Sequence, residues 1–347
     1  SAQIDTAQVK EIQEVSFTKR LPVSKEIINV QKDLGAKNLG QDLPILLKNQ
    51  MSVVATSDAG NGVGYTGFRI RGSAGTSINV MLNGVPYNDS ESQGTFFVNI
   101  PDMASSASQI VIQRGVGTSS NGTASFGASV NILTKNPEEK PYFLTNQSAG
   151  SFNTFKHSFE AGTGKFLNNL LSVSARYSII NSDGYIDRAF SKLNSYNINA
   201  LFEKGNTKLR FLTFGGKEKT YQAWNGIDKA TYESNPKFNY SGAIYDANWE
   251  NIIGFYDNET DNYRQNHYHL LWEQKLGKIW NLETTFHLTH GEGYYENYKQ
   301  DAKFSKYDLP NIVENGNTIT RTDFIRKKWL DNDFYGVVSN LYGNFEN

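Results

Sequence analysis

"SVSARYSI", residues 172–179, sets Val173, Ala175, Tyr177 and Ile179 on one side of an extended chain and Ser172, Ser174, Arg176 and Ser178 on the other. Successive side chains of a strand point to opposite faces, so a period of two describes a strand apolar on one side and polar on the other. The pattern recurs in "YNINALFE" (196–203), "HYHLLWEQ" (267–274) and "LETTFHLT" (282–289). No single strand shows which face meets a core.

The connections are more informative. Beyond residue 140 the chain reads as eight candidate strands, linked very briefly at 151–153, briefly at 164–168 and by a medium segment at 181–193. Then come "KGN" (204–206), a long loop at 217–263, "LGK" (276–278) and another long loop at 292–332. Tight turns gather at one end and large loops at the other. Outer-membrane barrels sort their loops in this way, and a soluble sandwich has no reason to. Tyr177, Tyr196 and Trp280 near strand ends fit an interfacial girdle. A sheet in lipid must close on itself, and eight strands closing alone would leave room only for their own side chains. Either the first half sits outside such a narrow tube, or the eight strands are the front part of a wider barrel.

Composition narrows the classes. Lys+Arg (34) and Asp+Glu (35) nearly balance, so the basic excess that nucleic acid requires is missing. Cysteine is absent, which leaves only His and carboxylates to hold a metal. No run approaches the ~18 apolar residues of a membrane helix. Residues up to 140 mix a helix expected over "LGQDLPILLKNQ" (39–50) with strands "GFRIRG" (67–72), "SINVMLNGVPYND" (77–89) and "QIVIQ" (109–113). That is the texture of a small α+β domain. Pro137 and Pro141 bracket "EEK" as a stiff joint to the second half.

Five segments, in order, resemble the TonB-dependent outer-membrane receptors, particularly those of Bacteroidetes-type bacteria. "EIQEVSFT" (11–18) looks like the TonB box, "GYTGFRIRG" (64–72) like the Arg-Gly strand and "INVMLNGVPYND" (78–89) like the plug hairpin. "DSESQGTFFVNIPD" (89–102) looks like the apical loop, and "IVIQRGVGTSSNGTASFGASVNILT" (110–134) like the closing plug motif. The small residues of the last segment suit a loop that passes close to other backbones inside a barrel.

The resemblance implies an all-β transmembrane barrel of about 22 strands, some eight of them present, with an N-terminal α+β plug in its lumen. It implies an N-terminal segment with the TonB box at 1–20, a plug at 21–138 and the first part of the barrel at 139–347. The location implied is the outer membrane of a Gram-negative bacterium, with lipid around the barrel. TonB of the inner-membrane energising complex would add Glu14, Val15, Ser16, Phe17 and Thr18 to its sheet edge; Ser16 and Phe17 depart from the commoner "EVVVTA" form. Arg71 and Arg114 match plug arginines that contact acidic residues of the barrel wall, with their partners expected beyond residue 347.

A small-molecule ligand is expected outside, between the plug apex (Asp89, Glu91, Gln93, Phe96) and the loop aromatics Tyr221, Trp224, Tyr294 and Tyr295. With "LGK" as a tight turn, direct pairing sets His267 opposite His287, Tyr268 opposite Phe286 and Trp272 opposite Leu282. The two imidazoles would then face the lumen near its extracellular end, able to ligate haem iron or another transition metal, or simply to bind water. "DNETD" (257–261) is a calcium candidate among the extracellular loops. The function implied is active import of a scarce ligand, an iron-siderophore or haem first, with cobalamin, glycan or peptide as alternatives. The rival class is a docking component with a surface lipoprotein partner. No nucleophile elbow, phosphate loop or metal-hydrolase helix points to an enzyme, and no resident cofactor is implied.

Overall fold

The protein is described by a computed structural model over residues 25–115 and 127–343. Its first part contains β1 (Lys25–Asn29), α1 (Leu43–Leu46), β2 (Val53–Ser57), β3 (Thr66–Ile70), β4 (Ile78–Leu82), β5 (Val85–Pro86), α2 (Met103–Ser106), β6 (Ala107–Arg114) and β7 (Ala128–Thr134). Five strands form a mixed sheet in the order β1-β6-β7-β4-β5, in which β4 and β7 run parallel. β4 is buried at every position, which explains its near-continuous apolar sequence. Asn83 and Gly84, at φ 52° and 80°, make the tight turn between β4 and β5.

The helix expected over 39–50 is shorter than its sequence suggests. Only Leu43–Leu46 is α-helical, because the chain reverses at Leu47–Gln50 and Ser52 takes φ 60° to enter β2. Leu43, Leu46 and Leu47 are buried in the plug core, so their apolar spacing serves packing more than helix length.

The second part is one antiparallel meander: β8 (Pro141–Gly150), β9 (Thr154–Phe166), β10 (Leu171–Ser182), β11 (Ser191–Lys204), β12 (Thr207–Tyr221), β15 (Thr260–Leu276), β16 (Trp280–Lys303) and β19 (Arg321–Gly343). Two small hairpins stand in its long loops, β13 (Ala243–Tyr245) with β14 (Ile252–Phe255) and β17 (Ile312–Glu314) with β18 (Asn317–Ile319). The loop at 222–259 also carries α3 (Lys229–Ser234). β8 and β19 are the two edges of the sheet, so these eight strands do not close into a narrow tube of their own. The turns at 167–170, 205–206 and 277–279 share one end, and the longest loops, 222–259 and 304–320, stand at the other.

The structure settles which face is which. Lys156, Ser158, Arg176, Ser178, Asn197, Asn199, Arg210, His267 and His269 are buried on the concave face, against the first domain. The apolar set, including Phe143, Phe159, Tyr177, Ile198, Phe211, Leu270 and Phe286, is exposed on the convex face. The plug core runs on into the wall, where Leu212 and Phe214 join the cluster of Ile78, Val80, Ile110 and Ile132.

The register between β15 and β16 corrects the expected pairing. Leu276 pairs with Trp280 around three residues, Gly277, Lys278 and Ile279, with Gly277 at φ 70°. The turn keeps the three residues expected of "LGK" but sits one residue later, which displaces the register by two, so His269 faces His287, His267 faces Thr289, Tyr268 faces Leu288 and Trp272 faces Thr284. A shift of two preserves the face, so all three histidines still point inward. They lie well inside their strands and not at the extracellular end, with His267 stacked on Phe214 (4.5 Å) and beside Tyr87 of the plug (5.7 Å).

The convex belt gives a direct test. Phe286→Arg should destabilise the barrel in lipid by roughly 2–4 kcal/mol, the cost of a cation on a lipid-facing site near the midplane. Urea unfolding of the receptor in bilayers would measure it.

Candidate functional site: the plug apex and its seat in the wall

The segment "DAGNGVGY" (58–65) joins β2 to β3 and reaches the loop-bearing end of the barrel. Gly60, Gly62 and Gly64 have φ of 78°, 87° and 94°, values a side chain rarely adopts. A Cβ at Gly60 would come within 2.9 Å of the Tyr185 ring, and one at Gly64 would run into the Ser191 hydroxyl. Glycine thus lets this loop lie on the wall. Ala59 O accepts from the backbone N–H of Tyr185 (2.8 Å) and Ile186 (3.1 Å), and the Asn61 amide donates to Ser182 (2.7 Å).

Tyr65 ends this loop. Its hydroxyl donates to the Asp261 carboxylate, with Glu218 also in reach (3.4 Å). Burial and these two carboxylates push the Tyr65 hydroxyl pKa far above its ordinary value, so the phenol keeps its proton and acts as donor. The Tyr65 ring meets Trp224 edge-on at 5.4 Å, and Trp224 meets Tyr295 edge-on at 6.3 Å. Trp224 is 40 % exposed, so this aromatic corner is open to a ligand while the acids beneath it are covered.

A second seat lies deeper. Asp102 of the plug, wholly buried, accepts from Lys156 of β9 (2.6 Å), Arg176 of β10 (3.1 Å), Ser178 (2.7 Å) and Ser105 (2.6 Å). Burial opposes its charge, yet Arg176 and Lys156 outweigh burial and hold the carboxyl below its usual range. Arg210 adds bonds to Thr134 (2.6 Å) and to the carbonyl of Lys135. In this seat the plug supplies the carboxylate and the wall the cations.

The expected site residues divide. Trp224 and Tyr295 come together, joined by Tyr65, which the sequence reading missed. Tyr221 braces the loop from behind, donating to the carbonyls of Tyr256 (2.7 Å) and Ser241 (3.1 Å). Tyr294 points away from the lumen and packs on Trp329 at 4.6 Å. Asp89 accepts from Ser92 N (2.7 Å) and Glu91 N (3.1 Å), folding its own loop, while Glu91, Gln93 and Phe96 are exposed. Arg114 pairs with Glu26 and Met51 O inside the plug. Arg71, at φ 52°, bonds Ser52 O through its backbone N–H.

His267 and His287 do not form the expected facing pair, and the "DNETD" side chains diverge: Asn258 turns to Glu296, Glu259 to Asn297, Asp261 to Tyr65. Among the described residues no group of three or more His, Asp or Glu could hold a metal ion. Glu14 to Thr18 lie outside the described residues. The signal that could have found the apex loop is the triple "GNGVG" just ahead of Tyr65; for Asp102 it is a lone acid in the apolar "NIPDM".

A domain docked by buried polar contacts into the polar concavity of a sheet whose outside is apolar defines a plugged outer-membrane β-barrel. Residues 19–129 match the TonB-dependent Receptor Plug Domain family. The whole chain is similar in fold to the ferric-catecholate import receptor Fiu from E. coli K12, at 16% identity and TM-score 0.64 over 94% of this chain and 45% of that one. It is similar to FpvA of P. aeruginosa, in complex with a ferric pyoverdine (12%, 0.65, 94% and 40%), and to the siderophore receptor PiuA from Acinetobacter baumannii (15%, 0.61, 94% and 43%). Comparison with curated proteins gives no match. The chain spans less than half the length of these structures. Residues 19–129 thus match a receptor plug, and the strands that follow share the fold of part of these receptors' barrels.

Two buried acids of the plug titrate in opposite senses. Asp102, with its folded pKa depressed, contributes stability that is complete above the ordinary carboxylate pKa of ~3.9 and is lost as pH falls through the lower folded value. Burial pushes Asp42 up to about 8, against the Thr66 hydrogen bond and with the Asp102 charge adding to the rise. The folded state therefore holds a proton the unfolded chain releases, and stability declines as pH rises from about 4 to about 8. Asp42→Asn should flatten that decline, whereas Asp102→Asn should cost ~3–5 kcal/mol at neutral pH by stranding two buried cations. Thermal unfolding of the purified receptor across pH separates the two. Tyr65→Phe should cost about 1–3 kcal/mol locally and speed amide exchange in residues 58–65.

Proposed function

We propose that this receptor imports a ferric siderophore actively across the outer membrane. The observation that carries the reading is the filled concavity: plug and wall share a hydrophobic core and a buried charge cluster, so on this reading no ligand diffuses past unaided. Residues 1–20 are then the coupling segment, 21–138 the plug and 139–347 the opening of the barrel. The names of the similar receptors, which include ferric-catecholate, pyoverdine and siderophore receptors, support an iron complex as cargo. Haem finds less support, because His267 sits beneath Tyr87.

The ligand enters from the loop end and rests on the rings of Trp224, Tyr295 and Tyr65, with Glu91, Gln93 and Phe96 as further contacts. Aromatic faces accept the planar groups of an iron-chelating ligand. Pressure on Tyr65 reaches the 58–65 loop, which enters the plug directly through β3. Energy comes from the inner membrane by way of TonB, whose sheet edge pairs with Glu14–Thr18 through main-chain hydrogen bonds. Lipid surrounds the convex face.

Deletion of the gene should abolish uptake of radiolabelled iron presented as its ferric siderophore, and retained uptake would refute the reading. Val15→Pro, which removes a main-chain donor from the coupling segment, should stop uptake and leave ligand binding intact. Trp224→Ala should weaken binding up to about tenfold, as loss of an aromatic contact implies, measured by titration on purified receptor.

A further inference from the structure

The β13–β14 hairpin does not fold into the lumen. Gln300 clamps it to β16, donating to Tyr245 O (2.7 Å) and accepting from Tyr245 N–H (2.8 Å). Tyr256 beside it stacks on Tyr298 at 5.6 Å and donates to Glu296. Glu296, Tyr298 and Gln300 continue the same alternating set as Leu282, Phe286 and Leu288, so the hairpin lies on the outward side of the wall. From Leu288 to Gln300 the strand climbs roughly 25–30 Å, given ~3.3 Å per residue and a tilt of about 40°. That height is beyond acyl chains.

Between hairpin and strand opens a cleft of about 500 Å³. Tyr245 and Trp249 stack at 5.7 Å on one side of it, and Trp249 is 52 % exposed. Lys299, Lys303 and Lys306 line it as well. The one carboxylate lining the cleft, Asp301, is engaged by Arg321 at 2.9 Å, and none of the three lysines forms an ion pair among the described residues.

We propose that this cleft binds an acidic saccharide, whose ring packs its C–H face on Trp249 and whose carboxylate or phosphate meets the lysines. The cleft's volume suits a few sugar units. Its place outside the wall separates it from the path of an imported ligand and turns it towards whatever surrounds the receptor at the cell surface. Two sources carry this chemistry, the glycan of an outer-leaflet glycolipid and a free acidic polysaccharide.

The test uses the full receptor in detergent with hexagalacturonate as probe and neutral maltohexaose as control, and a second arm in nanodiscs containing either lipopolysaccharide or phosphatidylglycerol. Binding of the acidic probe should weaken with salt and fall at least tenfold in Trp249→Ala and in the triple variant Lys299→Gln, Lys303→Gln, Lys306→Gln, while maltohexaose fails to compete. Selective retention of lipopolysaccharide, lost in the same variants, would identify the glycolipid as the source; binding of the soluble probe alone would identify the polysaccharide. If neither acidic ligand binds, if maltohexaose competes equally, or if the variants bind as the parent does, the proposal is overturned. Circular dichroism and unchanged iron uptake confirm that the variants fold.

Discussion

The barrel sheet turns its apolar side away from the plug domain packed against it. In water that arrangement is unfavourable at ~25 cal/mol for each Å² left exposed, and Phe143, Tyr177, Ile198, Phe211, Leu270 and Phe286 together make a broad surface. Lipid removes the cost. The same solvent then demands that every backbone N–H and C=O in the span be paired, which a meander meets internally and fails to meet only at its edges. β8 and β19 are such edges, so the exposed belt and the open sheet both point to a wider closed cylinder.

A polar concave face changes what can hold a plug. Apolar packing is used where the wall offers Leu212 and Phe214, and elsewhere the plug must supply partners for buried serines, asparagines and cations. Asp102 does this for Lys156, Arg176 and Ser178 at once, from a left-handed backbone conformation at φ 56°. Such a contact specifies position more than it adds stability, because desolvating three charged groups offsets most of their attraction. The plug is thus placed by polar geometry and held by its core.

How much of this was legible in the sequence varies with the range of the interaction. Alternation fixed the strands, since period two is a local property, and the sorting of loop lengths pointed to the barrel. The sign of the faces was not local: Val173 and Arg176 announce two sides without saying which meets lipid. Register was lost to a single residue of turn position, since Gly277, Lys278 and Ile279 form the three-residue loop where Leu276, Gly277 and Lys278 were expected to. Partnerships between distant segments were harder still. Tyr65 and Asp261, or Asp102 and Lys156, are brought together by docking, and neither shows periodicity. Conversely Tyr294 and Tyr295 look equivalent in sequence and point to opposite faces.

The energies involved bear on how such a plug could be displaced under the import reading. A nanomolar ligand releases about 12 kcal/mol on binding. Separating Asp102 from its two buried cations would by itself take several kcal/mol, since each charge is left without a partner in a poorly solvated place. Parting the plug core from Leu212 and Phe214 adds about 1.5–3 kcal/mol for each large side chain uncovered. These demands together approach the whole binding energy, so a ligand that opened the channel by binding alone would forfeit the affinity that captured it. Capture at the apex and release of the plug are therefore separate steps with separate energy sources, and work applied through the N-terminal segment can supply the second without weakening the first.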